Sequence, residues 1–343
     1  MPPVTKTASP APGQRAKAAS PRQPSASAPS STSPQRRTGW SAADLLGADF
    51  PEPTWAVPGL ISEGLNLLVG APKIGKSWLA LNIGVAVGGT RVALGSVKVK
   101  TGDVLFLALE DSPRRLSTRL KLVLGAGAPA PKGLFMETQW PRLADGGARR
   151  LDEYLSTHPK TRLVVVDVLA KVRDLTDTRG GNAYAADYAA MTALKDVADK
   201  HKVAMLVLHH DRKAGAEDFV DRVSGTSGVA GAADTILIID RARNSAEAKL
   251  LVTGRDVEEH EAGLQLDASC GRWSLLANPA LLGLSPERRQ LIELLEREPG
   301  LGPTAIAGRL QKTKNAVQML LREMTDLIEN DGSGHYSRRP AQT

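Results

Sequence analysis

Apolar positions in the middle of the chain form short runs separated by longer amphipathic stretches. The runs, rich in Val, Ile and Leu, predict five buried strands, at Gly64–Val69, Asp103–Leu109, Leu163–Val166, Val203–His209 and Thr235–Ile239. Helical spacing predicts four helices between them, at Lys76–Ala86, Pro113–Val123, Arg149–Thr157 and Tyr184–His201. Strands that alternate with helices predict an α/β domain built on a mostly parallel sheet.

The pattern changes twice toward the C-terminus. Between Ala248 and Leu276 the apolar period drops to two, which predicts two or three antiparallel strands at one sheet edge. Residues 277–284 then read as a linker. Three helices and a small hairpin are predicted after it, at Pro286–Glu298, Pro303–Leu310, Lys314–Leu327 and Ile328–Ser337. This order indicates a winged helix-turn-helix domain over 285–340, behind an α/β domain over 39–276.

Charge is unevenly distributed along the 343 residues, which carry a formal net charge of +7. Residues 1–38 contain six basic and no acidic side chains among many Pro, Ser and Ala, and residues 285–343 contain nine basic and eight acidic ones. The part between them is therefore neutral. A basic segment that cannot bury a core is predicted to be disordered, and either binds nucleic acid weakly or keeps the protein soluble.

Composition limits where the protein works. Cys270 is the only cysteine, so no disulfide can form within the chain. No run approaches the roughly 18 apolar residues that a membrane helix needs, and the N-terminus lacks the apolar core of a secretory signal. We expect a soluble cytoplasmic protein that does not contact a membrane.

The strongest chemical signal is a phosphate-binding loop between the first strand and the first helix. The sequence Gly70, Ala71, Pro72, Lys73, Ile74, Gly75, Lys76, Ser77 fits the pattern G-x4-G-K-[ST]. Backbone N–H groups and the helix N-terminus attract phosphates, and Lys76 is predicted to bridge the terminal two phosphates of ATP. The Ser77 hydroxyl is predicted to bind Mg²⁺. A chance glycine-rich turn does not explain a lysine at a helix start, where the helix dipole disfavours a cation.

Two carboxylates follow other predicted strands. Asp167 ends the run Leu163–Val166 and is predicted to hold Mg²⁺ together with Ser77. Glu110 follows the strand at Asp103–Leu109. Parallel strands converge on a ligand at their carboxyl ends, so Glu110 is a candidate to orient or activate the attacking water. The alternative is that Glu110 only opens the next helix.

His209 and His210 end a further strand. Metal binding by this pair is disfavoured because successive strand side chains point to opposite faces. We expect His210 to bind the γ-phosphate and to signal its loss to the loop after it. That loop, residues 211–228, carries Arg212 and Lys213, and its length indicates either a DNA-contacting loop or a surface connection.

Taken together, these segments resemble the RecA-like hexameric helicases, above all the RepA-type replication ATPases, and more distantly the DnaB helicases. The resemblance covers about residues 40–276. Beyond the phosphate loop it depends on four segments, at 108–112 (ALEDS), 164–167 (VVVD), 208–213 (LHHDRK) and 224–234 (SGTSG to AAD). It implies a homo-oligomeric ring, ATP bound between subunits, Glu110 as catalytic base, and an arginine supplied by the neighbouring subunit.

Arg255 is the best candidate for that arginine. It follows a predicted strand in the sequence Thr-Gly-Arg-Asp, which resembles the position of the finger in DnaB-type proteins. Arg241, Arg243 and a surface role for Arg255 are the alternatives. Trp55 lies just before the first strand and is either a core aromatic or a base-stacking residue.

Residues of the C-terminal segment are candidates for DNA contact. Lys312 and Lys314 precede or begin the predicted recognition helix, on which Asn315 and Gln318 would face a DNA groove while Ala316, Val317, Leu320 and Leu321 face the core. Winged helices also dock proteins, and the near-neutral charge of this segment does not by itself indicate tight DNA binding.

The sequence thus predicts an ATP-hydrolysing, ring-forming helicase, a hexamer that acts on single-stranded DNA during plasmid, phage or mobile-element replication. Duplex DNA, a primase and an initiator protein are further expected partners. The alternative is an ATP-switched replication initiator or regulator, or a helicase loader, without translocation.

Overall fold

A computed structural model describes residues 39–174, 183–210, 227–276, 282 and 284–339. Contacts divide the chain into two units, Met1–Pro51 and Glu52–Thr343. In the described part of the first unit, helix α1 (Ala42–Gly47) begins at Ser41, whose hydroxyl accepts from the Asp44 backbone N–H. The rings of Trp40 and Phe50 meet edge to face at 5.6 Å. The predicted boundaries at 38/39 and 277–284 stay predictions.

The second unit contains all the described strands. Their bounds are β1 Trp55–Val57, β2 Ile61–Ser62, β3 Gly64–Gly70, β4 Val92–Ala93, β5 Val97–Lys98, β6 Asp103–Ala108, β7 Leu134–Glu137, β8 Thr161–Asp167, β9 Ala204–His210, β10 Thr235–Asp240, β11 Glu247–Gly254, β12 His260–Asp267, β13 Arg272–Leu275, β14 Ile328–Asn330 and β15 Tyr336–Arg338. The helices are α2 Lys76–Val85, α3 Pro113–Leu124, α4 Ala148–Thr157, α5 Leu169–Val172, α6 Ala183–His201, α7 Ser227–Ala230, α8 Pro286–Arg297, α9 Pro303–Leu310 and α10 Lys314–Glu323, with π-helical turns at Ala86–Thr90 and Leu143–Gly147.

Nine of the strands form one sheet, in the order β13-β12-β11-β10-β3-β9-β8-β6-β7. The strands from β10 to β7 in this order run parallel, and β11, β12 and β13 continue the sheet antiparallel. The five predicted parallel strands and the antiparallel extension are confirmed. β7 and the small hairpins β1–β2 and β4–β5 were not predicted, because runs of two to four residues give too little periodicity to detect.

Both faces of the sheet are buried, which explains why its central strands are apolar throughout. Helices α2 and α3 cover one face, where Leu81 and Leu116 are buried. Helices α4 and α6 cover the other face through residues such as Leu151 and Leu194. The layers are therefore helix, sheet, helix. All parallel strands point their carboxyl ends to the same edge, and the connections that leave this edge place the candidate site there.

The last segment has an apolar core of its own, formed by α8, α9, α10 and the hairpin β14–β15. Ser285 and Thr313 cap α8 and α10 by accepting from backbone N–H groups. The third helix ends at Glu323, earlier than predicted. The chain turns there because Met324 and Ile328 are both buried in this core. An ion pair between Arg289 and Glu247 joins α8 to β11. The assignment of this segment as a winged helix stays a prediction.

Candidate functional site

The phosphate loop lies between the end of β3 and the start of α2, as predicted. Its last glycine, Gly75, has φ +105°, and a Cβ there would lie 2.8 Å from the Trp273 ring. Glycine is thus required at this position by both backbone conformation and space. The Trp273 indole N–H also donates to the Gly75 carbonyl at 3.2 Å, which fixes the indole against the loop.

Lys76 is buried at the first position of α2, with 4% of its surface exposed. Its Nζ donates to the carbonyls of Gly70 at 2.6 Å and Ala71 at 2.8 Å, and to His210 Nδ1 at 3.1 Å. A buried ammonium needs such partners, since desolvation of an unpaired charge is costly. The loop itself therefore holds the ammonium at the point where phosphates are expected.

Asp167 and Ser77 meet beside the loop. Asp167 ends β8 and its carboxylate accepts a hydrogen bond from the Ser77 side chain. Burial, and then the nearby carboxylates of Glu110 and Asp111, raise the pKa of Asp167 from 3.8 to about 6, although the Ser77 bond acts in the opposite direction. A carboxylate this poorly solvated gains much from a cation placed next to it.

His210 connects Lys76 with Glu110. It ends β9 in register with Gly70, and its Nε2 lies 3.9 Å from Glu110 Oε2. Burial, followed by the charge of Lys76, lowers the pKa of His210, so the imidazole is neutral at physiological pH. Lys76 has only donors, so Nδ1 accepts from it and the imidazole proton is on Nε2, facing Glu110. His209, in contrast, is buried, as the alternation along a strand predicts.

A cleft of about 430 Å³ opens next to the loop, lined by Lys73, Gly75, Lys76, Ser77, Trp78, Arg119, His210, Arg241, Leu266, Ala268 and Gly271. Two arginines of the cleft lie over indoles. The Arg119 guanidinium is 5.2 Å from the ring of Trp78 and the Arg241 guanidinium is 5.8 Å from that of Trp273. Arg119 also pairs with Asp111. Arg241 Nε is buried and has no acceptor among the described residues.

Arg255 lies at the opposite edge of the sheet. It follows β11, and its guanidinium pairs with Asp234 Oδ1 at 3.1 Å while 61% of the side chain is exposed. Asp234 also accepts from Lys195 at 2.6 Å and from the Leu65 backbone N–H, at the start of β3. Arg255 is thus remote from the phosphate loop of its own chain. Arg241, considered as an alternative finger, follows β10 at the same edge as that loop.

The remaining predicted residues divide into three groups. Arg212 and Lys213 lie outside the described residues. Asn315 and Gln318 are exposed on α10, whose Val317 and Leu321 are buried and whose Ala316 and Leu320 are half-buried. The helix therefore has the expected apolar and polar faces, and contact of the polar face with DNA stays a prediction. Lys314 is exposed as well, and Lys312 is half-buried.

Trp55 begins β1 at the edge opposite the phosphate loop and packs against the core, in agreement with the core alternative.

Some residues of the site could not be identified from motifs. Arg119 and Trp273 come from α3 and β13, far from the loop in sequence, and no local pattern marks them. Trp78 offered a weak signal, because it follows Ser77 directly at the start of α2. Leu266 of β12, and Ala268 and Gly271 in the turn before β13, line the cleft because the antiparallel part of the sheet extends past the loop.

The donor set fits a nucleotide with magnesium. The Ser77 hydroxyl and the Asp167 carboxylate supply the oxygen ligands that Mg²⁺ prefers, and Mg²⁺ is usually bound by one or two carboxylates plus phosphates and water. Lys76 and the N-terminus of α2 supply the positive charge for phosphates. A phosphate loop on a parallel sheet, with a carboxylate at the end of a nearby strand, defines a P-loop nucleotide-binding fold.

Comparison with known proteins agrees with this class. Residues 30–216 match the model of the AAA domain family, and the chain belongs to that family. Curated proteins give no significant match. A solved DnaB-like replicative helicase, described with its interactions with primase, is similar at a TM-score of 0.52 and 12% identity over 68% of this chain and 66% of that chain. The RadB recombinase is similar at a TM-score of 0.42 and 17% identity over 63% of this chain and 92% of that chain.

At 12% identity, the similarity to this helicase concerns the fold. The chain matches just under two thirds of the length of that helicase. Among the residues that the structure describes, none of the helices combines the length and apolar character needed to span a bilayer.

Proposed function

We propose that this protein hydrolyses ATP and uses the energy to move along single-stranded DNA, as a ring-forming helicase in the replication of a plasmid, phage or mobile element. The observation that carries the proposal is the division of the catalytic set between two edges of one sheet. Lys76, Asp167 and Glu110 lie at one edge and Arg255 at the other. Arg255 is too far from the phosphate loop of its own chain to act there, so it would complete the site of a second subunit.

Each residue of the site has a role in this mechanism. Lys76 bridges the terminal phosphates, and Ser77 and Asp167 hold Mg²⁺. When bound, the metal neutralises phosphate charge and orients the nucleotide. Glu110 accepts the proton of the attacking water.

His210 couples the site to the following loop. It contacts Lys76 and faces Glu110, so the loss of a phosphate beside Lys76 changes its hydrogen bonding. The loop that begins at residue 211, with Arg212 and Lys213, is our candidate for DNA contact. Arg241, in the cleft of its own chain, contacts the nucleotide of that chain, and Arg255 supplies the charge from the neighbour.

A ring of six subunits, assembled in the cytoplasm, is the proposed state. The similar helicase is described together with primase, and a primase or an initiator protein is the kind of partner we propose here. The C-terminal segment, proposed to be a winged helix, would position the motor on duplex DNA through Lys312, Lys314, Asn315 and Gln318. The exposed polar face of α10 supports this role.

The same exposed face favours one alternative function. An ATP-switched initiator, regulator or loader would bind duplex DNA or a partner through α10 and would not translocate. Both functions use the phosphate loop, so the loop does not separate them. Their difference lies in whether single-stranded DNA accelerates hydrolysis.

The deciding experiment is the ATPase rate of the full chain with and without single-stranded DNA, measured together with the mass of the particle in the presence of ATP. We expect at least tenfold stimulation in a hexamer-sized particle. Lys76→Ala is the inactive reference, and Lys121→Ala, an exposed lysine of α3, is the matched control. Slow hydrolysis that ignores single strands, with ATP-dependent duplex binding, would instead establish the alternative.

A further inference from the structure

A second cleft, of about 420 Å³, lies at the sheet edge opposite the phosphate loop. It forms where the parallel strands β6, β8 and β9 begin, and its lining includes residues 101–103, 159–162 and 201–202. Thr54 and Trp55, at the start of β1, complete the lining. The amino ends of these strands point away from Lys76. This cleft is therefore separate from the candidate nucleotide site.

The charge of the cleft is unbalanced. Lys160, Arg162 and Lys202 line it together with a single carboxylate, Asp103. Across the described ranges, neither lysine has an ion-pair partner. His201 also lines the cleft, but its Nε2 lies 2.6 Å from Asp152 Oδ1. Because Asp152 pairs with this imidazole, His201 is not counted among the three cations. The cleft thus offers an excess of positive charge to a ligand.

Packing fixes the Arg162 side chain, although few of its N–H groups have a hydrogen-bond acceptor. A Cβ at Gly102 would lie 2.3 Å from Arg162 Cγ, so the arginine stem packs directly on this glycine. Its Nη2 donates weakly to the Trp55 carbonyl at 3.4 Å. Its Nε is buried and has no acceptor within the described part of the chain. The buried Nε fixes the guanidinium within the wall of the cleft, and the terminal amino groups of Arg162 are the donors that an anionic ligand would meet.

We propose that this cleft binds the phosphate group of a nucleotide unit, either in a nucleic-acid strand or as a free nucleotide. The Arg162 guanidinium suits the planar, paired oxygens of a phosphate, and Lys160 and Lys202 add point charges around it. Thr101 and Trp55 are also in the wall of the cleft, whereas the hydroxyls of Thr54 and Thr161 already donate to Glu63 and to the His158 carbonyl. Its volume lies within the range of small-ligand sites.

The test uses the full chain carrying Lys76→Ala, so that nucleotide binding at the phosphate loop does not contribute. Lys160→Glu combined with Lys202→Glu reverses two exposed charges, and Arg162→Gln removes the third. Arg149→Glu makes the same kind of charge change at the start of α4, whereas the cleft follows the end of that helix. The probes are a labelled 20-nucleotide oligothymidylate, followed by fluorescence anisotropy, and AMP, followed by calorimetry.

We expect the affinity for at least one probe to fall at least tenfold in the double lysine variant and not in Arg149→Glu. A strand ligand also predicts that the slope of log affinity against log salt becomes shallower by about 1.4, because two phosphate contacts are lost. A fall for AMP alone assigns the cleft to a free nucleotide. If the double lysine variant and Arg162→Gln both bind both probes within twofold of the parent, the proposal is wrong. None of these outcomes depends on ATP turnover, so they are independent of the proposed helicase function.

Discussion

The two edges of the parallel sheet differ in how their charges are satisfied. At the carboxyl edge, Lys76 is saturated by loop carbonyls and His210, and Asp167 is paired with Ser77. At the amino edge, Asp234 is shared by Lys195 and Arg255, while Lys160 and Lys202 have no ion-pair partner among the described residues. The first edge is preorganised within one chain. We propose that the second edge acts on a neighbouring subunit through Arg255 and on a phosphate ligand through Lys160 and Lys202.

This difference follows from how parallel strands are connected. The loops that leave the carboxyl edge include the phosphate loop, and backbone N–H groups and the α2 N-terminus are directed at one point. At the amino edge, the second cleft alone takes residues from four separate segments, and none of its lining residues begins a helix. Charges there are more exposed, and Arg255 is mostly in contact with solvent.

Arg255→Ala gives the largest expected effect and tests whether the amino edge acts on a neighbour. We expect ATP turnover in the assembled state to fall about a thousandfold, because an arginine finger neutralises charge on the transferred phosphoryl group. Nucleotide binding by the isolated chain should not change. Steady-state ATPase rates above and below the assembly concentration measure this, with Arg149→Ala, at a highly exposed position of α4, as the control. Normal DNA-stimulated turnover in the assembled variant would remove Arg255 from the site.

Glu110→Gln tests the carboxyl edge alone. The amide keeps the shape of the side chain but cannot accept a proton, so we expect ATP binding to persist and turnover to fall by about 10² to 10³. Single-turnover hydrolysis and nucleotide affinity, measured side by side, separate the two effects. Glu153→Gln, an exposed position of α4, is the matched control. Turnover within twofold of the parent would leave Glu110 as a helix-opening residue only.

Asp167→Asn measures how much the ionised, buried carboxylate of the predicted metal ligand lowers the free energy of unfolding. The pKa of Asp167 is raised from 3.8 to about 6, so the folded state holds the proton more tightly than the unfolded state does. Stability is therefore lost as pH rises between these values, and the free energy of unfolding of the nucleotide-free variant should exceed that of the parent by about 2 to 3 kcal/mol at pH 8.

The gain from Asp167→Asn should disappear below about pH 4, where the parent carboxyl is protonated in both states. Chemical denaturation at pH 4 and pH 8 tests the sign. Asp145→Asn, at an exposed carboxylate before α4, is the control. A gain of equal size at both pH values would show that ionisation of Asp167 is not its cause.

Lys314→Ala combined with Gln318→Ala gives the smallest expected effect and concerns neither edge. Because each phosphate or base contact contributes only modestly, we expect duplex DNA affinity to fall about threefold to tenfold, with no change in ATP hydrolysis. Anisotropy with labelled duplex measures the affinity. Glu329→Ala combined with Ser333→Ala, on the exposed hairpin side, is the control. Unchanged duplex affinity would favour a protein-docking role for α10.

Sequence patterns predicted the carboxyl edge well and the amino edge poorly. Gly70 to Ser77 are consecutive, and Asp167 and Glu110 each follow an apolar strand, so their convergence follows from the parallel topology. Arg162, Lys160 and Lys202 are ordinary basic residues between elements, and no spacing links them. No spacing predicts Arg119 in the cleft or Trp273 against Gly75 either, because their proximity to the loop depends on packing across about 40 and 200 residues of chain.

The sequence by itself determined the alternation of strands and helices, the phosphate loop and the carboxylates that accompany it, because each is encoded in residues that are neighbours along the chain. Only the tertiary structure decided that Arg241 shares a cleft with Lys76, that Arg255 lies at the far edge beside Asp234, and that three cations surround a second cleft. These are relations between distant segments. They are set by strand order and by the burial of both sheet faces, which no local pattern contains.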